Sequence, residues 1–445
     1  MNVRLLPDWS RTKRVFSLGL PIMGGMSTYV FLELIDLLFV GSLGTVALAA
    51  VGVSAFVGFV YLAVFSGVSI AVQATTSRLV GEGRTEELTR YLNAGLVIVL
   101  IAAPLTSAPL VWGADVILDV MTEDSAVVAT GVPYLRWMLA SGVFFAVNSA
   151  FMGFWNATDR AQMYLRVVIA QAVVNVPANY VFMFGLGPVP AFGVEGVGIG
   201  TFISSIVGVG YHVVLGLRWA RGLPRATTTS DVRVLARLMV PVGFQQFFEH
   251  LALAAMFRIV ALIGTVEMAA YSVLVNLIGA VGLPAWGLGL AGATLVGQAM
   301  GRKDVDDAHQ WAWDVVKVGT LAMVVLGMPF WLAPELVLSL FIHEADTLAA
   351  ATTPCRVLGL MISVNGFGYM FTSMLNGAGD VKRVMYINLA TQYLVLVPGA
   401  YLFGVYWGFG LIGMWLVHQI GFRALNSLIF TAMWQQKRWV NVQLW

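Results

Sequence analysis

Long apolar runs separated by short polar connections make up almost the whole chain. Twelve such runs lie at about 15–40, 47–73, 91–112, 130–153, 164–186, 192–217, 235–263, 268–297, 312–333, 354–376, 385–404 and 409–432. Each is about 20 residues or longer, the length at which an α-helix crosses the hydrocarbon core of a bilayer. Strands of a membrane barrel alternate apolar and polar residues. These runs do not alternate, so helices are the predicted element throughout. The first run is expected to be a span rather than a removed signal peptide, because it is long and lacks a small-residue cleavage site.

The pattern also repeats once. Pro21 aligns with Pro241, Gly44-Thr45 with Gly264-Thr265, Ala49-Ala50 with Ala269-Ala270 and Val53 with Val273, each offset by 220. Asp159, Pro177, Tyr180 and Phe182 align with Asp380, Pro398, Tyr401 and Phe403, offset by 221. The repeat predicts an all-α integral membrane protein of two pseudosymmetric six-helix bundles, 1–217 and 235–445, joined by a polar linker at 218–234. Six spans return the chain to the same side, so the two bundles should be related by an axis along the membrane normal, with a cavity between them. Pro21, Pro177, Pro241, Pro284 and Pro398 lie inside spans. Each removes a helical hydrogen bond there.

Composition sharpens this reading. Hydrophobic residues are 59% and charged residues 11% of 445, against roughly 45–50% and 25% in soluble domains. Charge then gives orientation. Lys and Arg crowd one set of connections, from Arg11, Lys13 and Arg14 through Arg78, Arg84 and Arg90 to Lys437 and Arg438. The alternate connections at 41–46, 113–129, 187–191, 264–267, 334–353 and 405–408 carry neither. By the positive-inside rule both termini are cytoplasmic, and the chain is a multi-pass protein of the inner or plasma membrane. The net charge of +2 is spread along that rim, so nucleic acid is not an expected partner. A single cysteine, Cys355, excludes an internal disulfide or a CxxC cluster. The glycine-rich stretch Gly193–Gly200 lacks the Lys-Ser/Thr of a phosphate loop, and no HExxH or GxSxG string occurs. The chain is expected to be no enzyme and to use no cofactor.

Ionisable groups inside spans are then the functional candidates. Asp36 falls in the outer half of the first run, with no Lys or Arg near it in sequence. Low polarity favours its neutral form and a bound Na⁺ its carboxylate, so either H⁺ or Na⁺ would change the local charge. Beyond Na⁺ at Asp36, no metal is expected. Asn175 and Asn179 are four residues apart, hence on one helical face. Glu33 lies one turn before Asp36 and is a candidate second proton acceptor or substrate contact. Glu249 stands near mid-depth of the seventh run and is a candidate ion or drug site. Tyr29 and Met256 are candidate cavity residues, by cation–π attraction and by adaptable packing. Arg258, in an apolar run, reads as a snorkelling side chain.

Several ordered strings resemble the multidrug and toxic compound extrusion (MATE) family. They are Ile35-Asp36-Leu-Leu-Phe-Val-Gly41, Leu79-Val-Gly81-Glu-Gly83-Arg84, Asn175-Val-Pro-Ala-Asn179-Tyr-Val-Phe, Gly193-Val-Glu-Gly196-Val-Gly198-Ile-Gly200-Thr201, Phe247-Phe-Glu249 and Asn376-Gly-Ala-Gly379-Asp380. The resemblance covers about 10–435 and implies a V-shaped pair of bundles exporting cationic or amphipathic compounds in exchange for H⁺ or Na⁺. It places the family's coupling positions on Asp36, Asn175, Asn179 and Thr201, and a seventh-helix acid on Glu249. A tenth-helix acid of the NorM-like branch falls on Asn365, and a neighbouring Tyr on Met361. A second-lobe site at Glu249 and Asn365 would therefore have lost charge, which favours protons as the coupling ion. The expected protein is a monomeric multidrug antiporter for small organic cations or amphipathic drugs. The alternatives are a lipid-linked precursor flippase, an intramembrane enzyme and a channel. The first should carry a strongly basic cavity, the second a catalytic cluster and the third filter-like repeats; none of these is seen.

Overall fold

In the computed structural model, residues 8–219, 227–442 and 444 are described. The expected linker falls partly outside them, as do Arg4, Arg221 and Arg225. Twelve long helices follow the apolar runs. They are α1 Trp9–Gly41, α2 Thr45–Gly81, α3 Thr89–Trp112, α5 Ser125–Ala157, α6 Ala161–Phe184, α7 Val194–Trp219, α8 Thr229–Ala261, α9 Thr265–Gly301, α10 Val305–Leu332, α12 Ala345–Gly377, α13 Val381–Tyr406 and α14 at 410–435. The only β feature among the described residues is an isolated bridge between Leu186 and Val189.

Two short helices complete the set, α4 Ala114–Met121 and α11 Pro334–Leu338. Both lie in connections without Lys or Arg that sequence reading left as loops. In α4, Ala114 and Leu118 are buried while Val116 and Val120 are exposed. One apolar side therefore packs on the protein, as in a helix lying along an interface.

Among the described residues, ten helices are long and apolar enough to cross a membrane. The two that fall short, α8 and α14, are as long, and they carry Glu249 and Arg423. Even so, the twelve-helix plan and its repeat are plain in the packing. α2 packs on α5 as α9 does on α12, and α3 meets α5 as α10 meets α12. Close approach of backbones replaces the hydrophobic effect as the driving force in lipid, so small residues sit at these crossings.

The compact units do not divide at the linker between the sequence repeats. One unit holds the chain up to Met23 together with Phe247–Trp445, and the other holds Gly24–Gln246. The first halves of α1 and α8 thus each pack with helices of the other repeat. In the Gly24–Gln246 unit, a Cβ at Gly67 of α2 would overlap the carbonyl oxygen of Met239 on α8 and lie 3.0 Å from the Gly243 nitrogen. Only glycine permits that contact. In each changing helix a proline, Pro21 or Pro241, comes a few residues before the change of partner, where the missing hydrogen bond makes bending easiest. Repeat and compact unit are two different divisions of this chain.

Candidate functional site

The first candidate site lies wholly in the Gly24–Gln246 unit. Helix α6 presents Asn175 and Asn179 on one face, and both are buried. The Asn179 amide nitrogen donates to Asp36 Oδ1 on α1 at 2.5 Å and to Asn175 Oδ1 at 3.1 Å. Asn175 in turn donates to Ser204 Oγ on α7 at 3.3 Å, and Ser204 donates to the Thr201 carbonyl at 3.0 Å. Three helices are thereby joined by one line of hydrogen bonds ending on a carboxyl group.

The line closes because α7 comes very near. A Cβ at Gly200 would overlap Asn179 Oδ1 and stand 2.8 Å from its backbone nitrogen. Asn179 Oδ1 is buried and has no hydrogen-bond partner. Both amide hydrogens of Asn179 are spent on Asp36 and Asn175, so its oxygen is left as an unused acceptor. Two turns before Asp36 on α1, Tyr29 donates its hydroxyl to Gln171 Oε1 at 3.0 Å. Gln171, not singled out from sequence, stands four residues before Asn175 and belongs to the same face. That i, i+4 relation was its available signal. Thr201 joins the network through its backbone carbonyl, while Glu33 is exposed one turn from Asp36.

Of the second-lobe candidates, Glu249 and Asn365 are not joined to each other; each reaches α14. Asn365 donates to Gln419 Oε1 at 2.7 Å, and Glu249 Oε1 faces the Arg423 guanidinium at 3.9 Å. Arg423 escaped the sequence reading, which weighed cations mainly in the connections. Its signal was an Arg in the middle of the twelfth apolar run. It sits in a π-helical stretch, Val417–Ala424. Wide turns of this kind break the regular register of side chains and recur at functional positions.

One expectation is corrected. Met256, expected to line a substrate cavity, is 2% exposed and packs in an apolar cluster with Ile259, Leu274, Met323 and Leu358. Its side of α8 faces its own bundle, and it is a packing residue. Among the described residues no group of three His, Cys, Asp or Glu side chains gathers as a metal site.

A doubled set of six membrane-length helices, with ionisable groups buried among them, has the organisation of a secondary transporter. The chain belongs to the MatE family, whose model matches residues 21–181 and 241–402. It is 23% identical over 404 residues to a probable multidrug resistance protein NorM of Pasteurella multocida, covering 87% of this chain and 85% of that protein. It is 22% identical over 450 residues to the multidrug resistance protein MdtK of Yersinia pseudotuberculosis, covering 96% of each. A crystal structure of a MATE transporter from Vibrio cholerae has the same fold, with a TM-score of 0.88 at 18% identity over 97% of this chain and 98% of that one. The protein is thus a membrane transporter of this family and not an enzyme.

Proposed function

We propose that the protein exports amphipathic or cationic organic compounds across the inner or plasma membrane, as a monomer with both termini in the cytoplasm. Export is driven by entry of protons that bind at Asp36. The observation that carries this reading is the hydrogen-bonded line Asp36–Asn179–Asn175–Ser204. An ionised Asp36 only accepts hydrogen bonds, and the Asn179 amide N–H suits that form. A protonated Asp36 must donate, and the unused Asn179 Oδ1 is the acceptor nearest along the line. Rotating that amide presents the oxygen to Asp36 and withdraws the N–H from Asn175, which transmits the charge change from α1 to α6. A ligand shifts a two-state equilibrium only by binding one state better, and this exchange of partners supplies the difference. Protons are taken as the coupling ion because Asn365 carries no charge where the NorM-like branch has an acid.

Names borne by relatives support a multidrug cargo. The test is dye efflux from everted vesicles, energised separately by a proton gradient and a sodium gradient. Asp36→Asn should express normally and lose export at least about tenfold, as expected when a charge-assisted bond worth about 1.5–3 kcal/mol is removed. Export that survives in Asp36→Asn refutes the coupling role. Export that collapses only when the sodium gradient is dissipated replaces H⁺ by Na⁺.

A further inference from the structure

Arg423 is a guanidinium inside a span, held in an unusual way. Its central carbon lies 4.8 Å from the ring centroid of Tyr369 on α12 and 4.8 Å from that of Phe422. Trp286 on α9 meets Tyr369 edge-on, with ring centroids 5.3 Å apart. Among the described residues its one carboxylate partner, Glu249, stands at 3.9 Å, too far for a hydrogen bond. Side-chain exposure is 18% for Arg423 and 35% for Glu249. All five residues belong to the unit containing Phe247–Trp445.

Such a pair contributes little to stability. Partly exposed ion pairs are worth about 0–1 kcal/mol, whereas placing charges at membrane depth costs several kcal/mol. Charged groups in spans almost always face protein or a water-filled cavity rather than the acyl chains. By that rule the accessible side of this pair is expected to face water rather than acyl chains. There it presents a forked donor, an acceptor and two aromatic rings within one bundle.

We propose that Arg423, Glu249, Tyr369 and Trp286 form a binding site for an aromatic zwitterion, a substrate carrying both a carboxylate and a cationic nitrogen. Arg423 takes the carboxylate through the two parallel N–H donors that its planar fork provides. Glu249 takes the cationic end. Tyr369 and Trp286 flank the aromatic body. Arg423 also competes with any simple organic cation for Glu249, so a cation without a carboxylate meets a site already partly neutralised. This assignment rests on the exporter reading above and narrows its substrate class.

The test uses two dyes that share one cationic xanthylium core, rhodamine 110 with a free carboxylate and rhodamine 123 with its methyl ester. Binding to the full-length protein in lipid nanodiscs is read by fluorescence polarisation. The wild type should bind the free acid about ten- to hundredfold more tightly, the range of one charge-assisted, bidentate contact. Arg423→Gln should bring the two affinities within about twofold of each other, chiefly by weakening the acid. Arg423→Lys, which keeps the charge without the fork, should fall between. Glu249→Gln should weaken both dyes. Equal affinities in the wild type, or tighter binding of the ester, overturn the site, and so does an Arg423→Gln variant that folds and keeps the preference. The wild-type comparison stands even if Arg423→Gln fails to fold. A preference for the acid in a protein that moves neither dye under an ion gradient leaves the site standing and removes the exporter reading.

Discussion

Adding one methyl group at Gly200 tests whether the Asn179 network is set by the approach of α7 to α6. In Gly200→Ala the new Cβ would overlap Asn179 Oδ1 and lie 2.8 Å from the Asn179 backbone nitrogen. An amide flip only puts the NH2 where the oxygen was, so the whole side chain must turn away, which breaks its bonds to Asp36 and Asn175. The second clash involves backbone, so the helices must separate by about 0.6 Å to restore an ordinary 3.4 Å contact. Overpacking of this kind costs about 1–3 kcal/mol, and losing the charge-assisted bond adds about 1.5–3 kcal/mol. Gly210→Ala on the same helix is the matched control, because nothing lies within 4 Å of its added carbon. Expected outcomes are a lowered thermal unfolding midpoint for Gly200→Ala in detergent, and ion-driven export reduced at least about tenfold. Gly210→Ala should be neutral or slightly stabilised, since Ala is the better helix former. Indistinguishable behaviour of the two variants in both assays refutes the claim that this contact positions Asn179.

Two further outcomes follow from the packing. Arg11 on α1 bonds Asp307 at 2.9 Å, also bonds Asp314 and lies 3.6 Å from the Trp311 ring centroid. Arg11→Ala should therefore destabilise by about 1.5–3 kcal/mol, the range for hydrogen bonds to charged groups. Lys437→Ala, which loses only the exposed pair with Asp306, should cost less than about 1 kcal/mol; equal midpoint shifts for the two would contradict the ranking. Met256→Ala should leave a cavity costing about 2–5 kcal/mol while dye affinity, measured on the folded fraction, stays within about twofold. A selective loss of affinity would restore Met256 to the substrate path.

The sequence alone carried the twelve long helices, the doubling and the placing of Asn175 and Asn179 on one helical face. Apolar length dictates a helix in lipid, because no other local structure satisfies its own backbone there. The four-residue spacing of Asn175 and Asn179 places them on one face whatever surrounds the helix. Asp36 was legible because a carboxylate in an apolar run needs a reason to be there. The short helices α4 and α11 were not legible, because runs of eight and five residues give too little periodicity to separate from loop.

Only the tertiary structure decided which groups meet. Glu249 and Arg423 stand on the first and last long helices of the second repeat, and no periodicity within one helix says which turn of another it will face. Met256 followed the same logic: its residue type suited a cavity, but the rotation of α8 against its neighbours put it in the core. The change of partners after Met23 and Gln246 was likewise hidden. A repeat in sequence records how a chain arose, whereas packing records which surfaces fit. Spacing along the chain is a property of one helix, and contact is a property of two.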